Sequence, residues 1–411
     1  MRKMKDSGIE WIGEIPEGWE IVPVRSCFDE VRTKNTNGQE QNALQFKSGN
    51  IISKANFNAN TDDYVADTIT NYTVVLPDTV MINGLNLNYD FKSLRVALVK
   101  EKGVITSAYL AIFPDRKKIS PQYATYLFKG YETKMAFHNM GAGIRKTLGY
   151  KEFKNQPLLL PSKEEQNKIS AYLDSKCSHI DTMLFRTRSG IEEYKKLKQA
   201  VITQAVATQQ CSHIKLKYLM NFIVDCPHET PTYSFTGNYY VIRTADQALA
   251  SLRRDEDMYR LDASEYKKRT RRLTLDKDDI VYGREGERWG LACIVPKSNK
   301  YCLGQRIMQF RCNTKFLYPK YAMYALNSEL VYLQGVADTI GSTSPHVNIS
   351  TICNYLLPVP ALTEQKEIAD YLDAKCAEID KLIAKKEQLV KELESYKKSL
   401  IYEVVTGKRE V

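Results

Sequence analysis

The 411-residue sequence predicts an α+β chain in which two similar blocks of short strands and helices are separated by two long helices. The long helices are expected to pair as an antiparallel coiled coil, giving a pseudo-twofold arrangement. Three observations lead there: one stretch occurs twice, an apolar seam runs along each copy, and the blocks share an order of elements. From Pro161 the chain reads PSKEEQNKISAYLDSKCSHID, and from Pro360, 199 residues later, PALTEQKEIADYLDAKCAEID, with eleven of twenty-one positions identical. The same offset pairs Glu193 with Glu392, Lys198 with Lys397, Ile202 with Ile401 and Val206 with Val405. A period that long is not a solenoid repeat; it marks one duplicated module.

In chain order, the first block covers residues 1–160. Its GEIPEGWEIVPVR alternates turn and apolar residues, and TVVLPDTVMIN, LRVALV and VITSAYLAIF read as short strands. A helical patch, QYATYLFKG, precedes a glycine turn at Gly141 and Gly143. The first long helix occupies 161–211. Its seam carries Ile169, Leu173, Ile180, Met183, Tyr194, Leu197 and Val201, broken at Lys176, Thr187, Gly190 and Gln204. The second block, 212–360, repeats the order with IKLKYLMNFIV, DDIVYGREGERWGLACIV, YCLGQRIMQFRC, YPKYAMYAL and a closing turn segment. The second long helix, 361–411, is rich in strong helix formers. It carries Ile368, Leu372, Ile379, Leu382, Leu389, Leu393, Tyr396 and Leu400 on its seam, broken at Lys375, Lys386 and Glu403. About forty-five helical residues span roughly 65 to 70 Å. That exceeds an ordinary domain, so the twins are expected to lie on each other.

Composition narrows the function. No stretch approaches the run of about eighteen apolar residues that spans a membrane. The opening MRKMKDSGIEWIGEIPEGWE lacks the apolar run of a signal peptide. Nine cysteines without a Cys-x-x-Cys pair point to reduced thiols in a cytoplasmic protein. The net charge is +10; segments 161–208 and 361–411 carry +2 and −1, so +9 falls in the rest, compatible with a polyanion partner. Catalytic signatures are missing: no phosphate loop, no dinucleotide fingerprint, no Asn/Asp-Pro-Pro-aromatic methyltransferase motif. None of His138, His179, His213, His228 and His346 has metal-ligand spacing. Asp278 and Asp279 beside Glu285 read as a turn into a strand rather than a metal cluster.

Recognition chemistry is present. Lys267, Lys268, Arg269, Arg271 and Arg272 form a basic run suited to phosphate contact or a solvated face. In YGREGERWG, glycines expose Arg284, Glu285 and Arg288. Arg pairs with guanine and Glu accepts from cytosine, while an Arg–Glu surface salt bridge is the plain alternative. Gln305, Arg306, Ser344, His346 and Asn348 lie in polar turns. The corresponding places of the first block hold Asn83, Asn86 and Asn88, then Lys92, Arg95, Tyr109, Arg145 and Lys146. Asn is the usual partner of adenine and also an ordinary turn former.

With these residues in view, the chain resembles the specificity subunits of type I restriction-modification systems over nearly its whole length. The resemblance rests on DSGIEWIGEIPEGWE, the twin EQ-x-x-I-x-x-YLD-x-K helices, DDIVYGREGERWGLACIV and STSPHVN. The first block departs from it, having no Arg-x-Gly core in its hairpin. The resemblance implies two target recognition domains, each reading one half of an interrupted double-stranded DNA site. It also implies two methyltransferase subunits bringing S-adenosylmethionine chemistry and two motor-nuclease subunits using ATP and Mg, with no cofactor in this chain. The outer helix faces at Gln166, Tyr172, Asp174, Gln365, Tyr371 and Asp373 are the expected partner contacts. Two other classes fit the bare residues: a stand-alone restriction or methylation enzyme with an unfamiliar catalytic part, and a coiled-coil adaptor with no DNA role.

Overall fold

The computed structural model describes residues 2–54, 69–91, 94–144, 146–207, 211–338 and 345–411. The chain divides into two compact units, Met1–Thr187 with Leu389–Val411, and Arg188–Gln388. Each unit therefore holds one block together with a part of both long helices.

In the first unit a four-stranded antiparallel sheet runs in the order Phe28–Glu30, Leu110–Pro114, Val80–Ile82, Val96–Leu98. The apolar strand Val80–Ile82 is buried throughout, as a central strand between two neighbours must be. Helix Pro121–Thr133 starts with proline, whose missing N–H is harmless in a first turn. It buries Tyr123, Leu127 and Tyr131, four residues apart on one face. Tyr123 and Tyr131 donate to the carbonyls of Leu159 and Pro157, each at 3.0 Å, fastening the helix to strand Pro157–Leu160.

The second unit repeats this plan. Its four-stranded sheet runs Met220–Asp225, Ile307–Cys312, Ile280–Gly283, Ala292–Ile294, again antiparallel. Helix Pro319–Leu326 again opens on proline, and Tyr321 donates to Pro358 O at 3.0 Å. What differs is the addition: a three-stranded sheet of Tyr259–Leu261, Tyr239–Ile242 and Tyr301–Leu303, one pair of it parallel, over its own small core.

The long helices cover Lys163–Val206 and Leu362–Val405, 44 residues each. Antiparallel pairing shows within each unit. In the first, Lys397 Nζ donates to both Asp181 oxygens at 2.6 and 2.7 Å. In the second, Lys198 Nζ donates to both Asp380 oxygens at 2.9 and 2.8 Å. Lys198 and Lys397 are twins in the repeat, and so are Asp181 and Asp380, so each copy answers the other. Gly190 permits a close approach, since a Cβ there would stand 3.0 Å from Lys386 Nζ. Two residues past the end of the second helix, Gly407 is in the left-handed region at φ +70°, where a Cβ would strike Pro16 at 2.3 Å.

The seam differs from its sequence-based assignment. Met183, Leu197, Leu382, Leu389 and Tyr396 are exposed, while Cys177, Leu184, Ile191, Lys198 and Cys376 face inward. The reason is that each helix end also packs on a block. Ile169, Leu173, Cys177 and Ile180 join Leu400, Ile401, Val404 and Val405 in the core of the first unit. Ile202 and Val206 join Ala369 and Leu372 in that of the second. A stripe facing a block and a neighbouring helix at once does not keep a strict heptad.

The Glu132 carboxyl, next to this core, is pushed up to about 7 by burial, although the Arg95 backbone N–H donates to it. The folded value lies above the ordinary 4.5, so stability is fullest below 4.5 and falls as pH rises through about 7. The effect has an upper bound of about 3 kcal/mol. Thermal melts between about pH 3.5 and 8 (about one unit either side of the titration window) are expected to show this decline in the native chain and a flatter profile in Glu132→Gln; parallel profiles would contradict it.

Candidate nucleic-acid interface

In both units the same end of the four-stranded sheet carries the polar loops that the sequence singles out. In the second unit, strand Ile280–Gly283 runs into the turn 284–291. Beside it lie the 304–306 turn and the 345–348 segment. The backbone binds them together: Arg284 N donates to Arg306 O at 2.9 Å, Gly286 N to Pro345 O at 2.9 Å, and Val347 N to Arg284 O at 3.2 Å. Glu285 and His346 form an isolated bridge. In the first unit the equivalent turns meet likewise, with Leu148 N donating to Gly84 O at 2.9 Å and Leu87 N to Lys146 O at 3.2 Å. Tyr109 stands just ahead of Leu110, which pairs with Ile82, and so sits next to Asn83.

The side chains separate into supports and presented groups. Arg95 is 1% exposed and donates to the carbonyls of Asn83 and Leu85 at 2.8 Å and of Asp90 at 2.5 Å. It holds the turn from within, so its assignment as a DNA contact is corrected to a structural one. Arg269 is likewise buried, donating to Leu303 O and Glu229 O at 3.0 Å. Arg288 is exposed but donates to Ala245 O at 2.8 Å and Gln247 O at 2.9 Å, anchoring the far side of its turn. Arg284 is 8% exposed, with its guanidinium 2.6 Å from Glu285 and 3.5 Å from Asp225. It too is a support rather than a free reader.

The presented groups remain at the surface. In the second unit they are Glu285, Gln305, Arg306, His346, Asn348, Arg271 and Arg272, with Lys268 paired to Glu229 at 2.7 Å. In the first they are Asn83, Asn86, Tyr109, which packs on Phe46, and Lys146. Asn86, Lys146 and Arg306 hold left-handed backbone, at φ +53°, +42° and +68°, a strain of the kind that gathers at functional loops. Lys92, Arg145 and Ser344 lie outside the described residues.

Sequence reasoning passed over Asp225 and weighed His228 only as a histidine without metal-ligand spacing. Asp225 ends strand Met220–Asp225; its Oδ2 lies 2.9 Å from His228 Nε2 and its Oδ1 faces Arg284. The only signal was an acidic residue ending an apolar strand just before a proline turn. Asp279, weighed as a metal ligand, instead accepts from Gln309 at 2.7 Å and Arg311 at 2.8 Å. Among the described residues no group of three or more His, Cys, Asp or Glu is placed to hold a metal. Burial pushes the thiols of Cys293, Cys302 and Cys312 up to about 12, so they stay protonated and unreactive.

The expected partner contacts divide in the same way. Gln166 and Gln365 are 1% and 0% exposed. Gln166 accepts from Ser120 N at 2.7 Å and donates to Lys118 O and Pro161 O at 3.0 Å. Gln365 accepts from Tyr318 N at 2.8 Å and donates to Phe316 O and Pro360 O at 2.9 Å. Both are internal clamps, which corrects their assignment to a partner surface. Asp174 accepts from Tyr126 at 2.6 Å, and Asp373 from Tyr324 at 2.8 Å and from Lys320. Tyr172 is partly covered; Tyr371 is exposed.

Two blocks share one sheet topology, and each carries a different set of polar loops at the same sheet end. Residues 226–392 match the family described as type I restriction modification DNA specificity domain. Two curated relatives from Methanocaldococcus jannaschii align over almost the whole chain. The putative type I restriction enzyme MjaX specificity subunit is 22% identical, covering 97% of this chain and 95% of its own. The MjaVIII specificity subunit is 21% identical, covering 96% and 93%. A solved structure, described as showing complex assembly and conformational transition of the type I R-M system, has the same fold. Its TM-score is 0.68 at 16% identity, with 96% of this chain and 99% of that one covered. The stretch 226–392 thus matches a DNA specificity domain, and the chain is similar over nearly its whole length to type I restriction enzyme specificity subunits.

Proposed function

We propose that the chain reads an interrupted DNA site of two unlike halves, one per unit, and brings modification and restriction subunits to it. The observation that carries this is the pair of equivalent loop clusters on one topology with different chemistry. In the first, Asn86 and Lys146 are exposed with Asn83 and Tyr109 half-buried beside them; in the second, Arg306 is exposed with Glu285, Gln305 and His346 half-buried. Acceptors and donors of this kind read base edges in the major groove, and Arg271 and Arg272 beside them suit phosphate. Domain limits of 1–160, 161–211, 212–360 and 361–411 are part of this reading, with helices of fixed length setting the unread spacer. Two methyltransferase subunits carrying S-adenosylmethionine and two motor-nuclease subunits using ATP and Mg complete the complex in the cytoplasm, and this chain binds no cofactor. Among the described residues no helix is long and apolar enough to cross a membrane.

Binding of the purified chain to random duplex DNA at increasing salt is the direct test. A protein neutralising several phosphates loses affinity linearly in log salt, with a slope of about −0.9 per phosphate. A steep slope is expected; a flat line would make the chain an adaptor without a DNA role.

A further inference from the structure

The Arg284–Glu285 pair divides reading from support. Glu285 is a carboxylate flanked by two guanidinium groups, Arg284 at 2.6 Å and Arg306 at 3.9 Å. Arg284 is in turn backed by Asp225 Oδ1, 3.5 Å from its Nε. Charges alternate along this row, from Asp225 through Arg284 and Glu285 to Arg306. The two ends of the row differ in exposure: the side chains of Asp225 and Arg284 are 13% and 10% exposed, those of Glu285 and Arg306 25% and 55%. Among the described residues Asp225 Oδ1 and Arg284 Nε are buried without a hydrogen bond, so Arg284 is oriented by charge, with a carboxylate on either side.

A lone carboxylate is repelled by the phosphates of a duplex. In this row two guanidinium groups offset two carboxylates, so the charge around Glu285 sums to about zero, which weakens that repulsion and leaves Glu285 purely an acceptor. Arg306, at φ +68°, is held in place by its own carbonyl, which accepts from Arg284 N. Gly286 follows Glu285 in the left-handed region at φ +83°, a conformation that favours glycine and turns the chain directly after the carboxylate.

We infer that Glu285 is a specificity-determining residue of the second unit, accepting a hydrogen bond from the exocyclic amino group of a cytosine or adenine, with Asp225 and Arg284 as its positioning residues. This rests on the DNA reading above and assigns the chemistry of one base position. Such a contact discriminates by roughly 1 to 3 kcal/mol, or about 5- to 150-fold.

The test presents the full chain with a library of randomised duplexes and sequences the bound fraction. One position of one half-site is expected to hold cytosine or adenine on a given strand. Glu285→Gln, which both donates and accepts, should lose that preference roughly tenfold. The other positions should be unchanged and affinity for random duplex altered less than about twofold. Arg284→Lys keeps the charge but not the planar fork, and should blur the same position alone. On the selected duplex, deleting the amino group, with purine for adenine or 2-pyrimidinone for cytosine, should weaken the native chain roughly tenfold and leave Glu285→Ala unaffected. An unchanged motif in Glu285→Gln, an equal loss at every position, or the same loss on amino deletion in Glu285→Ala would overturn the assignment. A native chain that enriches no motif would instead overturn the DNA reading itself.

Discussion

Gln365→Ala is expected to destabilise the second unit by about 2 to 4 kcal/mol, because it strands a buried carbonyl, a part-buried carbonyl and a part-buried N–H and leaves a cavity. The amide accepts from Tyr318 N and donates to Phe316 O and Pro360 O, tying the start of the second long helix to the turn before helix Pro319–Leu326. Gln365→Glu is a sharper probe, being the same size but unable to donate to either carbonyl. Tyr371→Ala, one helical turn and a half further on and exposed, is expected to change stability by less than about 0.5 kcal/mol. Urea unfolding of the three variants decides between the roles. A stable Gln365→Ala chain that had lost only partner binding would return Gln365 to a partner surface.

On the proposed reading, replacing residues 212–360 with the corresponding block of a type I restriction enzyme specificity subunit is expected to change one half of the recognised site completely and leave the other half alone. The prediction follows from chemistry confined within units. The contacts that hold the turn at 284–291 come from residues 225–347, and those that hold the turn at 83–95 come from residues 83–148. Methylation profiling of cells carrying the chimaera with its partner subunits reads the outcome. Simultaneous change in both halves would mean that the blocks do not read independently.

The frame is legible in the sequence because duplication left identical residues at helical spacing. Leu173 and Leu372, Ile180 and Ile379, Asp181 and Asp380 announce two equivalent helices by themselves. The strands are legible for a similar reason: runs such as Val80–Ile82 and Ile280–Gly283 are apolar throughout and bounded by turn residues. The direction in which a polar side chain points is not legible. Arg95 and Arg284 adjoin turns and Arg269 ends a short helix, places where an arginine is ordinarily exposed, yet carbonyls and carboxylates from elsewhere in their blocks draw each inward. Arg269 takes partners 34 and 40 residues away, and Arg284 takes Asp225, 59 positions before it. Gln166 and Gln365 mislead in the same manner. A helix-start Gln is ordinarily solvated, and only the fold shows that both close the same internal clamp.

The methylated sequence in a cell that holds this chain with its partner subunits tests the double-reader arrangement most directly. Profiling all methylated positions is predicted to return a motif of two unlike parts separated by a gap of fixed length and free sequence. A contiguous motif, or a methylation pattern unaltered when this chain is deleted, would contradict it.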